Sequence, residues 1–175
     1  GLLASCVRSQ THGGIFFLRK HGFKRKGERI NLTVDLEEFP ADEPPSRIGA
    51  IEISRARKED EAELVPLSFM PRMYQVTSWP AEVKMSFQND PITSFIARDT
   101  RTNKIIGWAT HSVSFPGTFG PTGVSKKYRG RGLGSALLKW CLWDLKQKGL
   151  KKVIIRWVNL NTTYFYLKSV NAHIS

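Results

Sequence analysis

The stretch that decides the fold is "YRGRGLGSALL", residues 128–138. Three glycines alternate with two arginines, and a leucine-rich pattern with helical spacing follows at once. Three residues before it, "TGV", 122–124, ends an apolar run, so the glycines connect a strand to a helix. Backbone N–H groups converge in such a turn, and the helix dipole adds partial positive charge. The stretch therefore predicts a phosphate site.

Two common nucleotide-binding patterns do not fit this stretch. The phosphate loop of NTPases requires Gly, four residues and then Gly-Lys-Ser/Thr, and no lysine follows these glycines in that register. The dinucleotide fingerprint requires glycine at its first, third and sixth positions, but Ser135 holds the sixth position after Gly130 and Gly132. We therefore exclude both patterns.

The rest of the chain predicts a mixed α/β protein. Alternating or densely apolar segments predict six strands, and helical apolar spacing predicts five helices. The segment "EEFPADEPPSRI", residues 37–48, is acidic and rich in proline, so its composition predicts a linker. The predicted strands lie at 29–36, 50–57, within 94–114 as a pair, at 117–124 and at 152–158, and the predicted helices at 11–23, 58–70, 79–87, 133–148 and 161–170.

Composition favours a globular protein with an anionic partner. Hydrophobic residues make up 41% of the 175 residues, which is enough to bury a core. Lys and Arg number 27 against 15 Asp and Glu, and the net charge of +12 suits nucleic acid, an acidic membrane or a phosphorylated cofactor. No apolar run approaches the roughly 20 residues that span a bilayer, so no membrane partner is expected. We expect a cytoplasmic protein without a disulfide framework or a bound metal.

One family accounts for the glycine-rich stretch and for its surroundings. The pattern Arg129-x-x-Gly132-x-Gly134 resembles the acyl-CoA-binding motif of the GNAT superfamily of N-acyltransferases. In that superfamily the motif wraps around the CoA pyrophosphate. The flanking residues from "FGPTGV" to "SALL" look like the fourth strand, the pyrophosphate loop and the third helix of that superfamily. "NLNTTYFYLKSV", 159–170, resembles its closing segment, in which an Asn and a Tyr recur at the spacing of Asn159 and Tyr166. The resemblance covers residues 49–175.

The resemblance implies a fold, an activity and a cofactor. The fold is GNAT-like α/β, a mixed and largely antiparallel sheet with a splayed pair of fourth and fifth strands (β4/β5 of the family) and helices on both faces. The activity is transfer of an acetyl group from acetyl-CoA to a primary amine of a small molecule or peptide by direct attack. Tyr166 matches the family's general acid, which protonates the thiolate of coenzyme A. The implied cofactor-binding residues are Thr122, Val124, Arg129, Gly130, Arg131, Gly132, Leu133, Gly134, Ser135 and Asn159.

Each of these residues also has a purely structural interpretation. Arg129 and Arg131 fit solvated surface charges, Tyr166 fits a core aromatic residue, and Asn159 fits a cap at the end of a strand. The general base is the weakest part of the pattern. Many relatives carry a Glu on the fourth strand, but "PGTFGPTGV", 116–124, contains neither an acid nor a His. By topology the nearest candidates are His111 and Glu52; water or an already neutral amine are the alternatives.

The front of the chain resembles a second copy of its end. "FFLRKHGF", 16–23, and "FYLKSVNA", 165–172, share the order Phe, aromatic, Leu, basic. Residues 1–36 therefore resemble the tail of a preceding GNAT-like domain, and 49–175 a domain clipped at its C-terminus. The chain is then a fragment of a tandem protein, or its front strand fills the sheet position that the back end lacks, within one chain or between two. Coincidence is a further explanation of the eight-residue match. A neighbouring GNAT domain or a homodimer is the expected protein partner.

Two other function classes stay open at this point. Lys20 and Lys24 belong to one basic run, and Lys148 and Lys151 to another, which are features of a nucleic-acid-binding module. We favour the acyltransferase, because a solvated surface and the negative charge of CoA explain the same lysines. The other class is a non-catalytic CoA-binding module, which the missing base favours. RNA affinity should fall steeply with salt, whereas CoA binding should depend on the glycines of the loop.

Overall fold

The computed structural model describes residues 12–24, 27, 29–69 and 78–174, and its helices and strands lie close to the predicted positions. None of the helices in these ranges is long and apolar enough to cross a bilayer. The strands are β1 (Ile30–Asp35), β2 (Arg47–Ile48), β3 (Ile51–Arg55), β4 (Ser94–Asp99), β5 (Lys104–His111), β6 (Thr118–Val124), β7 (Lys152–Val158) and β8 (His173–Ile174). The helices are α1 (His12–Lys20), α2 (Glu61–Ser68), α3 (Trp79–Ser86), α4 (Leu133–Gln147) and α5 (Leu160–Val170), with short 3₁₀ turns at Lys58–Asp60 and Lys126–Tyr128.

The strands form one sheet in the order β2-β3-β4-β5-β6-β7-β1-β8. Every neighbouring pair is antiparallel except β6 and β7, which are parallel. The predicted mixed, largely antiparallel sheet is therefore confirmed. The two-residue strands β2 and β8 were not predicted from the sequence.

Helix α4 packs against one face of the sheet with the apolar stripe that the sequence predicts. Leu133, Leu137, Cys141 and Leu145 recur at helical spacing, and each is at most 1% exposed. They join the larger of the two core clusters, which includes residues of β1, β3, β4 and β7. The stripe therefore fixes the N-terminus of α4 directly beside the end of β6.

Helices α2 and α3 cover part of the opposite face. Side chains alternate along β4, so that Phe95 and Ala97 belong to the cluster under α4, whereas Ile96 belongs to a second cluster. In this second cluster Leu64 of α2 and Val83 of α3 are buried completely. The helices on both faces confirm the predicted class, and α3 lies next to β5 and β6.

The front strand is part of the same sheet. Strand β1 lies between β7 and β8 and is antiparallel to both. Leu32 and Val34 of β1 are at most 1% exposed within the core that α4 covers. In this structure the strand therefore takes the place beside β7 within one chain, while the assignment of residues 1–36 to a preceding domain stays a prediction.

The proline-rich segment between β1 and β2 packs against α4. The indole N–H of Trp140 donates to the carbonyl of Pro45 at 3.2 Å, and that of Trp143 donates to the carbonyl of Ala41 at 3.1 Å. Composition predicts a linker here because prolines and acids favour irregular backbone. Composition does not show that two tryptophans of α4 donate hydrogen bonds to that backbone.

Candidate active site

The parallel strands β6 and β7 separate after a short pairing. Their register pairs Thr118 with Ile154 and Phe119 with Ile155, and extends no further. In the β5–β6 pair the register shifts between Ala109 and His111, which reflects a bulge of β6 at residues 120–121. The edge of β6 that faces β7 is therefore left open from residue 120 onward.

A cleft of about 850 Å³ lies in this opening. Strands β6 and β7 form its base, and it extends to α3, α5 and the N-terminus of α4. Of the predicted site residues, all but Arg131 line this one cleft: Thr122, Val124, Arg129, Gly130, Gly132, Leu133, Gly134, Ser135, Asn159 and Tyr166.

The glycine-rich loop presents the start of α4 to the cleft. Gly132 is the N-cap of α4 with φ +79°, a left-handed conformation that side chains disfavour, and Gly130 has φ +74°. The first helical hydrogen bond runs from Ala136 N–H to the Gly132 carbonyl at 3.0 Å. The amides of residues 133–135 precede that bond and have no acceptor within the helix. Together with the helix dipole they favour an anion, as the sequence predicts.

Two contacts hold the loop in place. The hydroxyl of Tyr128 donates to Asp99 Oδ2 at 2.9 Å, and Tyr128 is only 6% exposed. The Nε–H of Arg129 donates to the carbonyl of Val124 at 3.0 Å, which ties the loop back to β6. Arg131 instead places its guanidinium 5.5 Å from the ring centroid of Tyr128, outside the lining of the cleft.

The predicted residues of the closing segment lie on α5. Tyr166 is half-buried, and its ring meets that of Phe119 edge-on with 6.1 Å between centroids. Asn159 is the N-cap of α5, and its Oδ1 accepts the N–H of Asn161 at 3.1 Å. Asn159 thus has the capping role that the sequence leaves open and also lines the cleft.

Neither candidate base from the sequence lies in the cleft. His111 is completely buried, its Nε2 is 2.8 Å from Asp144 Oδ2, and burial lowers its pKa despite that carboxylate. Glu52 lies on β3, three strands from β6, and does not line the cleft. Among the described residues, the acid that lines the cleft is Glu82 of α3, with Ser114 Oγ at 3.4 Å from its Oε2. The sequence analysis missed Glu82, because the pattern at 79–87 predicts a helix and gives no sign that this helix borders the cleft.

His111 belongs to a buried charged cluster around Asp144. Asp144 also accepts from Arg55 and from Lys148, whose Nζ lies at 3.1 Å. Asp144 is 5% exposed, and its hydrogen bonds to His111 and Arg55 outweigh burial and hold its pKa below the usual range. The cluster links β3, β5 and α4, which indicates a structural role.

We expect Asp144→Ala to lower the free energy of unfolding by about 3 kcal/mol. This is the lower end of the range for buried pairs, because the side chains of Arg55 and Lys148 are 29% and 35% exposed and regain water. Urea unfolding measures the change, and Asp42→Ala, at an exposed site, is the control. An Asp144→Ala variant as stable as the parent would show that the cluster contributes nothing.

Several solved structures share this fold. A GCN5-related N-acetyltransferase from Sphaerobacter thermophilus superposes with a TM-score of 0.72 at 18% identity, over 97% of this chain and 55% of that one. A tandem GNAT protein from the clavulanic acid biosynthesis pathway gives 0.60 at 15%, over 99% of this chain and 58% of that one. A GNAT family acetyltransferase from Brucella melitensis, in complex with acetyl-CoA, gives 0.50 at 19%, over 66% and 80%. The chain thus spans little more than half the length of the first two.

The fold and the cleft together define the class of this protein. A splayed parallel pair within an antiparallel sheet, with a glycine-rich loop leading into a helix, is the GNAT-like acyltransferase architecture. The sequence profile of the acetyltransferase (GNAT) family matches residues 48–170, so the chain belongs to that family. Its members are in general acyltransferases. Among curated proteins, none matches the chain significantly in sequence.

Proposed function

We propose that this protein transfers an acetyl group from acetyl-CoA to a primary amine. The observation that carries the proposal is the arrangement of the cleft: the free amides at the start of α4 and the half-buried Tyr166 line one opening between β6 and β7. The first suits a diphosphate, and the second is a proton donor at the place where the strands part. Acetyl-CoA supplies the acyl group as an activated thioester.

The loop and the N-terminus of α4 fit the pyrophosphate of CoA. A Cβ built on Gly130 or Gly132 meets no atom within 4 Å, so the space over these two residues is open to a ligand. The amides of residues 133–135 and the helix dipole oppose the negative charge there. The guanidinium of Arg129, tied to Val124, adds a positive charge at the same place. Arg131, turned toward Tyr128, contributes only through its net charge.

The open edge of β6 suits the pantetheine arm. From Gly120 to Val124 this edge faces away from β5 and has no strand partner in the described sheet. The carbonyls of Pro121 and Val124 accept from Thr110 and Arg129, and the other backbone groups of this edge are available for an extended ligand. A backbone N–H of this edge next to the thioester oxygen would polarise the carbonyl.

Tyr166 is proposed as the general acid. The nitrogen of a neutral amine attacks the thioester carbon, the N–C bond forms and the C–S bond breaks. The phenol of Tyr166 protonates the leaving thiolate and recovers its proton from solvent, while the attacking nitrogen loses one proton. The ring contact with Phe119 places this phenol beside the last paired residues of β6 and β7.

The direct test is a calorimetric titration with acetyl-CoA, followed by an assay of CoA release with a panel of primary amines. We expect a Kd of about 1–100 μM, in the range of ordinary enzyme substrates, and release of CoA that depends on the amine. Binding without release for any amine would favour a non-catalytic CoA-binding module. Failure of the folded chain to bind acetyl-CoA, together with salt-sensitive RNA binding, would favour a nucleic-acid-binding module.

A further inference from the structure

Strand β7 carries a bulge at the point where it leaves β6. Ile30 pairs with Val158 and Leu32 with Ile155, so Arg156 and Trp157 together face a single residue of β1. Trp157 has φ +55°, and its N–H donates to Asn31 Oδ1 at 3.1 Å. A bulge re-aims the side chains next to it, and bulges are common beside active sites. Both strands at the opening of the cleft are thus bulged at the same level.

The bulge delivers the guanidinium of Arg156 into the cleft. Its Cζ lies 4.0 Å from the ring centroid of Phe115 and 5.2 Å from that of Trp157. Its Nε is buried and has no hydrogen-bond partner among the described residues. Ring stacking uses the face of a guanidinium and leaves the N–H groups on its edge to a ligand. A buried donor without an acceptor is costly, so the position favours an anionic ligand.

A carboxylate of opposite charge stands on the other side of the same loop. Ser114 Oγ contacts Glu82 Oε2 at 3.4 Å, and the next residue, Phe115, packs under Arg156. Consecutive loop residues thus join a negative and a positive side chain, and both line the cleft. Neither forms an ion pair with any residue in the described ranges.

We propose that this part of the cleft is the acceptor subsite and that it selects an amine that also carries a carboxylate. Arg156 binds the carboxylate through its N–H edge, and Glu82 binds the ammonium group, which loses a proton to solvent before the neutral amine attacks. The inference rests on the proposed acetyl transfer and deepens it. The one guanidinium that the β7 bulge turns into the cleft balances the single charge of a carboxylate. A phosphate monoester carries about −1.5 to −2 and calls for a second cation. Arg29 and Arg129 also line the cleft, so the glucosamine 6-phosphate arm of the test decides whether they supply it.

The test compares matched pairs of amines with acetyl-CoA as donor. The probes are the L-amino acids with primary amines and their C-terminal amides, with glucosamine and glucosamine 6-phosphate as a separate arm. We expect at least one amino acid to exceed its amide in kcat/KM by about 10²-fold. Arg156→Gln should remove that preference by lowering the value for the acid alone. Glu82→Gln should lower the values for both members of the pair.

Controls separate this inference from the proposed function. Arg156→Gln should bind acetyl-CoA as the parent does, and Arg47→Gln, an exposed arginine on β2, should leave every rate unchanged. Arg156→Lys keeps the charge but loses the planar fork, so its preference for the acid should lie between those of the parent and Arg156→Gln. The lysine variant also serves as the test if the glutamine variant does not fold.

A parent that binds acetyl-CoA but prefers no amino acid over its amide overturns the inference, as does weaker acetyl-CoA binding by Arg156→Gln. A preference for glucosamine 6-phosphate alone overturns the proposal that the bound group is a carboxylate. A parent that does not bind acetyl-CoA overturns the proposed function itself.

Discussion

Gly132→Glu is expected to weaken acetyl-CoA binding by at least about 10²-fold, roughly 2.7 kcal/mol or more. Gly132 is the N-cap of α4, and the open space over its Cα is where the proposed pyrophosphate lies. A glutamate there would place a carboxylate against a diphosphate and against the amides that should bind it. Calorimetric titration with acetyl-CoA measures the loss.

The other end of the same helix provides a matched control. Gly149 follows α4 with φ +81°, and a Cβ built on it also meets nothing within 4 Å. Gly149→Glu therefore imposes the same backbone strain, about 1–3 kcal/mol, and the same charge, but far from the loop. We expect it to bind acetyl-CoA as the parent does. Equal binding by Gly132→Glu and the parent would show that the loop does not hold the cofactor.

The parts of the fold that were predictable are those set by local periodicity. The strand predicted at 152–158 has these bounds in the structure, and the helix predicted from Leu133 ends one residue earlier than expected. Both are long enough for the apolar pattern to be unambiguous. Strands β2 and β8 have two residues each. They are defined by backbone pairing with distant strands, in which Arg47 pairs with Glu52 and His173 with Thr33. No sequence period can reveal a strand of that length.

The cofactor half of the candidate site was predictable because it is contiguous in sequence. Residues 122–135 run from strand through loop to helix, so the motif contains most of its own geometry. Arg131 is the exception: the positive φ angles of Gly130 and Gly132 turn the backbone on both sides of it, and its side chain points to Tyr128. The spacing of the motif does not determine the direction of a side chain in such a turn.

The proposed acceptor half was not predictable, because distant segments assemble it. Glu82 comes from a helix on one face of the sheet, Phe115 from the loop before β6, and Arg156 from a bulge that depends on pairing with β1. From the sequence alone, "KVIIRWV" predicts a strand with one arginine in it. The bulge that turns this arginine into the cleft lies in the pairing of β7 with β1, where Asn31 accepts the N–H of Trp157.

Tyr166→Phe is expected to lower kcat for acetyl transfer by about 10²-fold or more while leaving the Kd for acetyl-CoA unchanged. The substitution removes only the hydroxyl, and the ring contacts with Phe119 and Phe165 remain. A thiolate that leaves without a positioned acid must take its proton from water. Single-turnover rates and a calorimetric Kd measure the two quantities separately.

Tyr164 on the same helix distinguishes a catalytic hydroxyl from a merely structural one. Tyr164 is 71% exposed, and it does not line the cleft, so Tyr164→Phe should leave both kcat and Kd unchanged. If Tyr166 is a core aromatic residue instead, Tyr166→Phe will keep its kcat and change at most its thermal stability. If the thiolate is protonated by Tyr166, the loss in kcat should also shrink with acyl donors whose thiol leaving group has a lower pKa, because such a thiolate needs an acid less. A loss that is equal for all donors would place the role of Tyr166 in positioning the thioester rather than in proton transfer.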